Sequence, residues 1–460
     1  MQELTFEKTT PIPCPGEELE HWHTLPGAFE RLCPPWQNVH VVDDAAIENG
    51  NRTTLKVKIG PFWRRWIAEY REVKKGCEFT DFQVKGPFAR WRHRHRFISD
   101  PQNPENSTLA DEIHYLPPLS PLSKIFAGHW INRTLARSFT YRHAITREDI
   151  RRAQEHPAPA TMRILVSGAS GLIGNALIPY LKMRGHEILR LTRHARRQGD
   201  IEWDPETGKL DLSEAGKLDA VIHLAGENIA EGRWSSRKKE RILSSRQQGT
   251  RLLCNALAAM PAPPQVLISA SGINYYAKNP GATTDETSPV GTGFLSNVCH
   301  QWELGTLPAE QAGIRVCKLR IGMVLTPAGG ALKKMLLPFR LGLGGRIGKG
   351  TQRTGWIAID DLVDMIDRAL GDKRWQGPVN AVAKEPVSNR DFTRQLAKTL
   401  RRPAILPIPA FSVRLLFGEM VKETLLADLP ACSGRLDQLD YQLRHPELAG
   451  ALRHLLGSTV

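Results

Sequence analysis

Two hydrophobic rhythms divide the chain. Up to about residue 115, apolar and polar residues alternate in short runs: Leu4–Thr10, Thr53–Ile59, Trp63–Val73, Glu78–Val84, Arg90–Ile98 and Ser107–Tyr115. A period of two is that of strands with one buried face. The runs are separated by turn signals, among them Asn49-Gly-Asn, Gly60-Pro, Lys75-Gly, Gly86-Pro and Asp100-Pro-Gln-Asn-Pro. Gly16–Leu32 reads instead as one or two short helices, stopped by Cys33-Pro-Pro because proline disfavours helix in the residue before it. Residues 121–150 carry a helical pattern through Trp130, Ile131, Leu135, Phe139, Tyr141 and His143. The expectation for residues 1–152 is an α+β domain in which a curved meander grips one long helix.

The rhythm changes after Gln154-Glu-His-Pro-Ala-Pro-Ala160, whose prolines and small residues mark a linker over 153–161. From Met162 onward, continuous apolar runs of strand length alternate with helical stretches. That is the pattern of an α/β, doubly wound parallel sheet covered on both faces. The expected organisation is a Rossmann domain over 162–385, a small substrate-side C-terminal segment over 386–440, and a tail over 441–460 that is a short helix or disordered.

The first of these runs, Ile164-Leu-Val166, leads straight into Ser167-Gly-Ala-Ser-Gly-Leu-Ile-Gly174 and then into a helical pattern. Glycines at 168, 171 and 174 permit a tight strand-to-helix turn, backbone approach to a pyrophosphate and close helix packing, while the helix start offers free N–H groups. Gly168, Ser170, Gly171, Leu172, Ile173 and Gly174 are therefore candidate cofactor-binding residues. About twenty residues on, where NAD-specific sites carry an acidic residue, stands Arg193, backed by Arg196 and Arg197. A guanidinium suits a 2′-phosphate, so NADP(H) is expected in preference to NAD(H). Leu224, Ala225 and Gly226 end the next parallel strand and Ser269 and Ser271 the one after, at the same carboxyl edge.

Composition narrows the class further. A chain of 460 residues, 41% hydrophobic, exceeds one ordinary core. It has no apolar run of about 18 residues, so no membrane span is expected, and its start, Met1-Gln-Glu-Leu-Thr-Phe-Glu-Lys, is not that of a secretory signal. A cytoplasmic protein is expected. The formal charge of +14 is spread along the chain without a nucleic-acid module, so no nucleic-acid partner is inferred. The seven cysteines form no C-x-x-C pairs, which argues against disulfides and structural zinc; no metal site is expected.

In Arg90-Trp-Arg-His-Arg-His-Arg-Phe97 the period of two puts four arginines on one face and Trp91, His93, His95 and Phe97 on the other. The arginine face is read as solvated. The other is read as a core face with two hydrogen-bonded histidines in preference to an aromatic-lined ligand cavity.

The G-x-x-G-x-x-G spacing resembles the extended short-chain dehydrogenase/reductase superfamily. Further phrases resemble one branch of it, the nucleoside-diphosphate-sugar epimerase-like proteins with a DUF1731 C-terminal segment. They include Trp203-Asp-Pro205, Leu224-Ala-Gly-Glu-Asn-Ile229, Arg233-Trp234, Ser245-Arg246, Gly249-Thr-Arg251, Ser269-Ala-Ser-Gly-Ile-Asn-Tyr-Tyr276, Phe339-Arg-Leu-Gly-Leu-Gly-Gly345 and Trp356-Ile-Ala-Ile-Asp-Asp361. The order of elements over the first 150 residues or so, with Pro26–Trp36 and Gly86–Trp91, resembles START-like (polyketide cyclase-like, SRPBCC) helix-grip domains. Such domains usually hold an apolar ligand, and some serve only for docking.

The resemblance implies NAD(P)-dependent epimerase or oxidoreductase chemistry on a small-molecule substrate. Active relatives use Y-x-x-x-K, whose lysine lowers the tyrosine pKa. Here those positions fall on Leu295 and Cys299, which cannot do that work. The remaining catalytic candidates are Ser271 and Tyr275, with Tyr276 and Lys278 nearby. A non-catalytic, NADP(H)-responsive binding protein is the alternative. Asp360 and Asp361 read as caps of a helix starting there.

Overall fold

The computed structural model describes residues 3–117, 121–157, 160–197, 199–277 and 282–458, with the backbone alone over 121–127. The chain forms two compact units, Met1–Pro157 with Leu456–Val460, and Ala158–Leu455.

In the first unit, β1 (Leu4–Ile12), β2 (Val39–Asp43), β3 (Arg52–Ile59), β4 (Phe62–Lys74), β5 (Glu78–Lys85), β6 (Arg90–Ser99) and β7 (Ser107–Leu116) form one sheet. Its order is β1-β7-β6-β5-β4-β3-β2, antiparallel throughout. Helices α1 (Gly16–Thr24) and α2 (Ala28–Leu32) follow β1, and α3 (Pro121–Glu155) follows β7. The alternation in β6 works as read. Arg92, Arg94 and Arg96 pair with Glu72 on β4, Glu78 on β5 and Glu112 on β7. His93, His95 and Phe97 are buried on the opposite face. That side of the sheet meets α3 through Phe6, Ile113, Tyr115, Ile131 and Phe139, with Leu4, Phe88, Trp91 and Leu135 packed against them. Each fully buried large apolar side chain contributes about 1.5–3 kcal/mol, so this seam holds the helix on the sheet.

The second unit is built on a parallel sheet. Its strands are β8 (Arg163–Ser167), β9 (Glu187–Thr192), β10 (Asp200–Asp204), β11 (Lys209–Leu210), β12 (Ala220–His223), β13 (Val266–Gly272) and β14 (Arg315–Ile321). After the short strands β15 (Met323–Leu325), β16 (Arg353–Thr354) and β17 (Trp356–Ala358) comes β18 (Gly377–Ala381). The order β11-β10-β9-β8-β12-β13-β14-β18 reverses direction between β8 and β12, which is where a Rossmann sheet opens its crevice. Only β11 is antiparallel to its neighbour. β14 stops at Ile321, and after Gly322 the chain leaves the sheet as β15 to pair with β17. A side chain at Gly322 would lie 2.8 Å from the Gly355 carbonyl oxygen, so only glycine lets the two segments pass.

The helices are α4 (Leu172–Met183), α5 (Ser236–Ala258), α6 (Phe294–Leu304), α7 (Leu307–Gln311), α8 (Gly330–Arg340), α9 (Ile359–Gly371), α10 (Asn389–Leu400), α11 (Ala410–Phe417) and α12 (Met420–Glu423). One expectation is corrected here. The N-cap of α9 is Ala358, so Asp360 and Asp361 fall inside the helix's first turn and are not its caps. Instead the buried Asp361 carboxylate accepts the backbone N–H groups of Arg444 and His445, and Asp360 faces the His454 ring. Further along the helix, Asp364 accepts from the Arg444 guanidinium and the Tyr441 hydroxyl. Over its described residues the tail is therefore ordered, with helix Leu448–Leu456 burying Ala451, Leu452 and Leu455 fully.

Candidate active site

The crevice starts at the glycine turn. Gly168 has φ +70°, and a Cβ there would sit 2.8 Å from the Leu224 carbonyl carbon, so the turn lies directly against the end of β12. At Gly174 a Cβ would come within 2.5 Å of the Gly168 oxygen, which packs α4 onto its own turn. Gly171 differs: a Cβ would meet only the Gly168 oxygen, at 3.1 Å, and its other side is open. Gly171 is also the N-cap of α4 and offers no side-chain acceptor to the first turn, while Ser170 beside it is exposed. The N–H groups at Leu172, Ile173 and Gly174 thus belong to a helix start with no intrahelical acceptor, which is an anion-binding geometry.

A buried hydrogen-bond chain fixes the β12 side. The Ser167 oxygen accepts from the N–H groups of Leu224 and Ala225, at 3.2 and 3.3 Å. It lies 2.7 Å from His223 Nδ1, and His223 Nε2 lies 2.9 Å from the Thr250 hydroxyl oxygen. With both of its acceptor positions used, Ser167 donates to Nδ1, so the imidazole proton sits on Nε2 and points to Thr250. Burial pushes the His223 pKa down to about 4, and the Arg246 guanidinium adds to the effect, so the ring is neutral. Nothing in the sequence pattern singled out Ser167, His223 or Thr250. Their signal is only a polar residue at the end of each of two apolar strands.

Arg193, Arg196 and Arg197 follow β9 and are exposed. Asp200 shapes their loop, because its carboxylate accepts the N–H groups of Arg196 and Arg197 and the Arg190 guanidinium. No acidic residue occupies the Arg193 position. Past Gly226 opens a cleft of about 540 Å³ whose lining includes Glu227, Arg233, Lys238 and Arg241. The sequence reading named Arg246 on α5 only within a family phrase and not as a site residue. Its guanidinium lies 2.9 Å from where a Gly226 Cβ would be and 4.7 Å from the Trp302 ring centre.

Ser269 lies midway along β13 and Ser271 near its end, both in register with β14, and both residues are buried. Ser269 reaches only the Ala270 carbonyl, at 3.4 Å. Ser271 donates to Glu303 at 2.8 Å, and Glu303 is held by a bidentate pair with Arg320, at 2.8 and 2.9 Å. The same guanidinium lies 3.6 Å from the Tyr275 ring centre and donates to the Tyr276 hydroxyl, which donates in turn to Asn380. The result is a buried Ser-Glu-Arg unit walled by two tyrosines. Burial raises the Tyr276 pKa, which keeps its phenol protonated. Leu295 and Cys299 are core residues of α6. Burial pushes the Cys299 thiol up to about 12, so it is neither a base nor a ready nucleophile. Lys278 lies outside the described residues. Over this wall packs the C-terminal segment, where Ala427, Leu429 and Ala431 join Ile273, Tyr276 and Val382 in one buried cluster.

Comparison with known proteins agrees with this architecture. Residues 164–381 match the NAD dependent epimerase/dehydratase family, and 408–455 match the domain of unknown function DUF1731, which runs past the boundary expected at 440. An epimerase family protein of Mycobacterium bovis is 38% identical over 290 residues, 63% of this chain and 96% of that protein. The human epimerase family protein SDR39U1 is 38% identical over 299 residues, 64% of this chain and 100% of the relative. The crystal structure of a nucleoside-diphosphate sugar epimerase from Corynebacterium glutamicum superposes with TM-score 0.80 at 30% identity, covering 99% of this chain and 90% of that one. Human SDR39U1 with NADPH superposes with TM-score 0.59 at 36% identity, covering 64% and 99%. The glycine turn, the Rossmann strand order and these alignments lead to one conclusion: the chain belongs to the NAD dependent epimerase/dehydratase family, with a DUF1731 segment at its C-terminal side.

Proposed function

We propose that the second unit binds NADP(H), with the pyrophosphate at the head of α4 and the 2′-phosphate beside Arg193, and performs epimerase- or reductase-type chemistry on a small-molecule substrate. The observation that carries this reading is the asymmetry of the glycine turn, closed by backbone at Gly168 and Gly174 and open at Gly171. The NADPH in the human relative's structure supports the same cofactor here. When bound, the nicotinamide supplies hydride exchange. The chain's own part is to hold the substrate oxygen near Ser271 and Tyr275 and to exclude water behind the C-terminal segment. Ser271 spends its proton on Glu303, so its oxygen is oriented to accept from a substrate hydroxyl. Titration calorimetry tests the cofactor: NADPH should bind more tightly than NADH, and equal affinities would end the NADP assignment.

A second reading is a non-catalytic, NADP(H)-responsive binding protein. It is favoured by Leu295 and Cys299 where active relatives place tyrosine and lysine, and by the engagement of Ser271. In either reading the first unit is taken as START-like, on its sheet gripping one long helix, and would present an apolar ligand or dock a partner. Hydride exchange separates the two. If the protein is an enzyme, Ser271→Ala and Tyr275→Phe should each lower turnover by on the order of 100-fold with NADPH affinity nearly unchanged.

A further inference from the structure

Buried between the sheet of the first unit and α3 is a polar cluster that the proposed function does not use. His93 and His95 stand two apart on β6, so both rings face the same way. Asp81 is the register partner of His93 on β5, and Asp111 that of His95 on β7. The side chains of His93, His95 and Asp111 are 5%, 7% and 5% exposed, and Asp81 keeps 16%, which leaves a route from solvent.

Each ring has a carboxylate oxygen at both of its nitrogens. Asp111 Oδ1 lies 2.8 Å from His93 Nε2 and 2.8 Å from His95 Nδ1, while its Oδ2 lies 2.6 Å from His143 Nε2. Asp81 Oδ2 lies 3.1 Å from His93 Nδ1 and 3.4 Å from His95 Nε2, while its Oδ1 accepts the Trp91 indole N–H. A neutral imidazole has one N–H and one lone pair, so a neutral ring here would turn a lone pair on a carboxylate. Two arrangements avoid that. Both rings can be imidazolium, which puts two like charges in a buried site with ring centres 3.8 Å apart. Alternatively, one divalent cation replaces the two protons on the Asp81 side.

The second arrangement satisfies every group. Each histidine keeps one N–H, aimed at Asp111, which is how metal-ligating histidines are held in orientation. The two carboxylates balance the ion. The three ligand atoms, one each from Asp81, His93 and His95, lie within 4.8 Å of one another, against about 3.4 Å between ligands of a tetrahedral zinc with bonds of about 2.1 Å. We propose that Asp81 Oδ2, His93 Nδ1 and His95 Nε2 bind a first-row divalent ion of the zinc class, with Asp111 as the carboxylate that orients both histidines and the remaining position left to water or a small ligand.

Zinc titration by calorimetry on the full-length, untagged, chelator-stripped chain tests this. One zinc per chain is expected. Asp81→Asn and the double variant His93→Gln/His95→Gln should each weaken binding at least about 100-fold, and Asp111→Asn about 10–100-fold, with circular dichroism unchanged. His454→Ala, in a separate Asp360-His445-His454 group of the second unit, should retain full uptake. No zinc uptake by the wild type, or undiminished uptake in the Asp81 and histidine variants, overturns the site. Should those variants misfold, zinc-edge X-ray absorption of the loaded wild type decides, because a spectrum without imidazole scattering also overturns it.

Discussion

Gly171 and Gly174 are three residues apart in one turn, yet they should fail differently when substituted. Gly171→Val places its branches on the open side, so the fold should persist while calorimetry finds no NADPH binding. Gly174→Ala drives a methyl into the Gly168 and Ala169 carbonyl oxygens, at 2.5 and 2.7 Å, so thermal melting should show lost stability before any binding is measured. Conversely, Arg193→Asp should narrow the NADPH-over-NADH gap without affecting stability, since the side chain is exposed. His223 adds a pH dependence. Its folded pKa, about 4, lies below the ordinary 6.5, so the stability it contributes is full above pH 6.5 and lost as pH falls toward 4. His23, at about 3, and His186, at about 4, act in the same direction. His223→Gln should therefore lose less urea resistance than the wild type between pH 6.5 and 4, which paired urea midpoints would measure. The glycine turn was legible because its geometry is local. The Ser167-His223-Thr250 chain and the Ser271-Glu303-Arg320 unit were not, because each joins segments that only the sheet brings together.

Between elements, α9 is tied to the segment Tyr441–His445 by buried hydrogen bonds and an ion pair. Burial raises the pKa of Asp361 to about 7 and that of Asp367 to about 6, against the hydrogen bonds and arginines that lower them. A folded pKa above the unfolded one gives stability that is complete below about pH 4 and is lost as pH rises through the folded value. Amide exchange at Arg444 and His445, corrected for intrinsic rate, should therefore lose protection between pH 5 and 8. Asp361→Asn, which mimics the protonated carboxyl, should flatten that dependence. The buried Arg444–Asp364 pair makes a separate demand: Arg444→Leu leaves a carboxylate uncompensated and should cost about 3–5 kcal/mol. Sequence reading could not see this lock, since four aspartates on one helix resemble a solvated face and the tail pattern is short. Strands fared better. The meander was placed to within one or two residues, because turn residues bound each run, whereas Val39–Asp43 at the sheet edge was missed for want of a buried face.

For the whole molecule, the two units meet in sequence between Pro157 and Ala158, just after α3 ends at Glu155. Limited proteolysis should cut there first, and the C-terminal fragment from about residue 162 should keep NADPH binding; a first cut inside either unit would count against this division. Among the described residues no helix is long and apolar enough to cross a membrane. The seven cysteines, all unpaired, carry a further consequence. Burial holds Cys14, Cys33, Cys254, Cys299 and Cys317 at about 12, and Cys432 is also raised, so at neutral pH these thiols are protonated; Cys14, Cys254, Cys299 and Cys317 are buried, and Cys33 and Cys432 half-buried. Cys77 alone is exposed, in the turn between β4 and β5. A maleimide should label the native chain once, at that turn, and the remaining thiols only as their own unit opens. Mass spectrometry of the alkylation products then separates the unfolding of the first unit, reported by Cys14 and Cys33, from that of the second, reported by Cys254, Cys299 and Cys317.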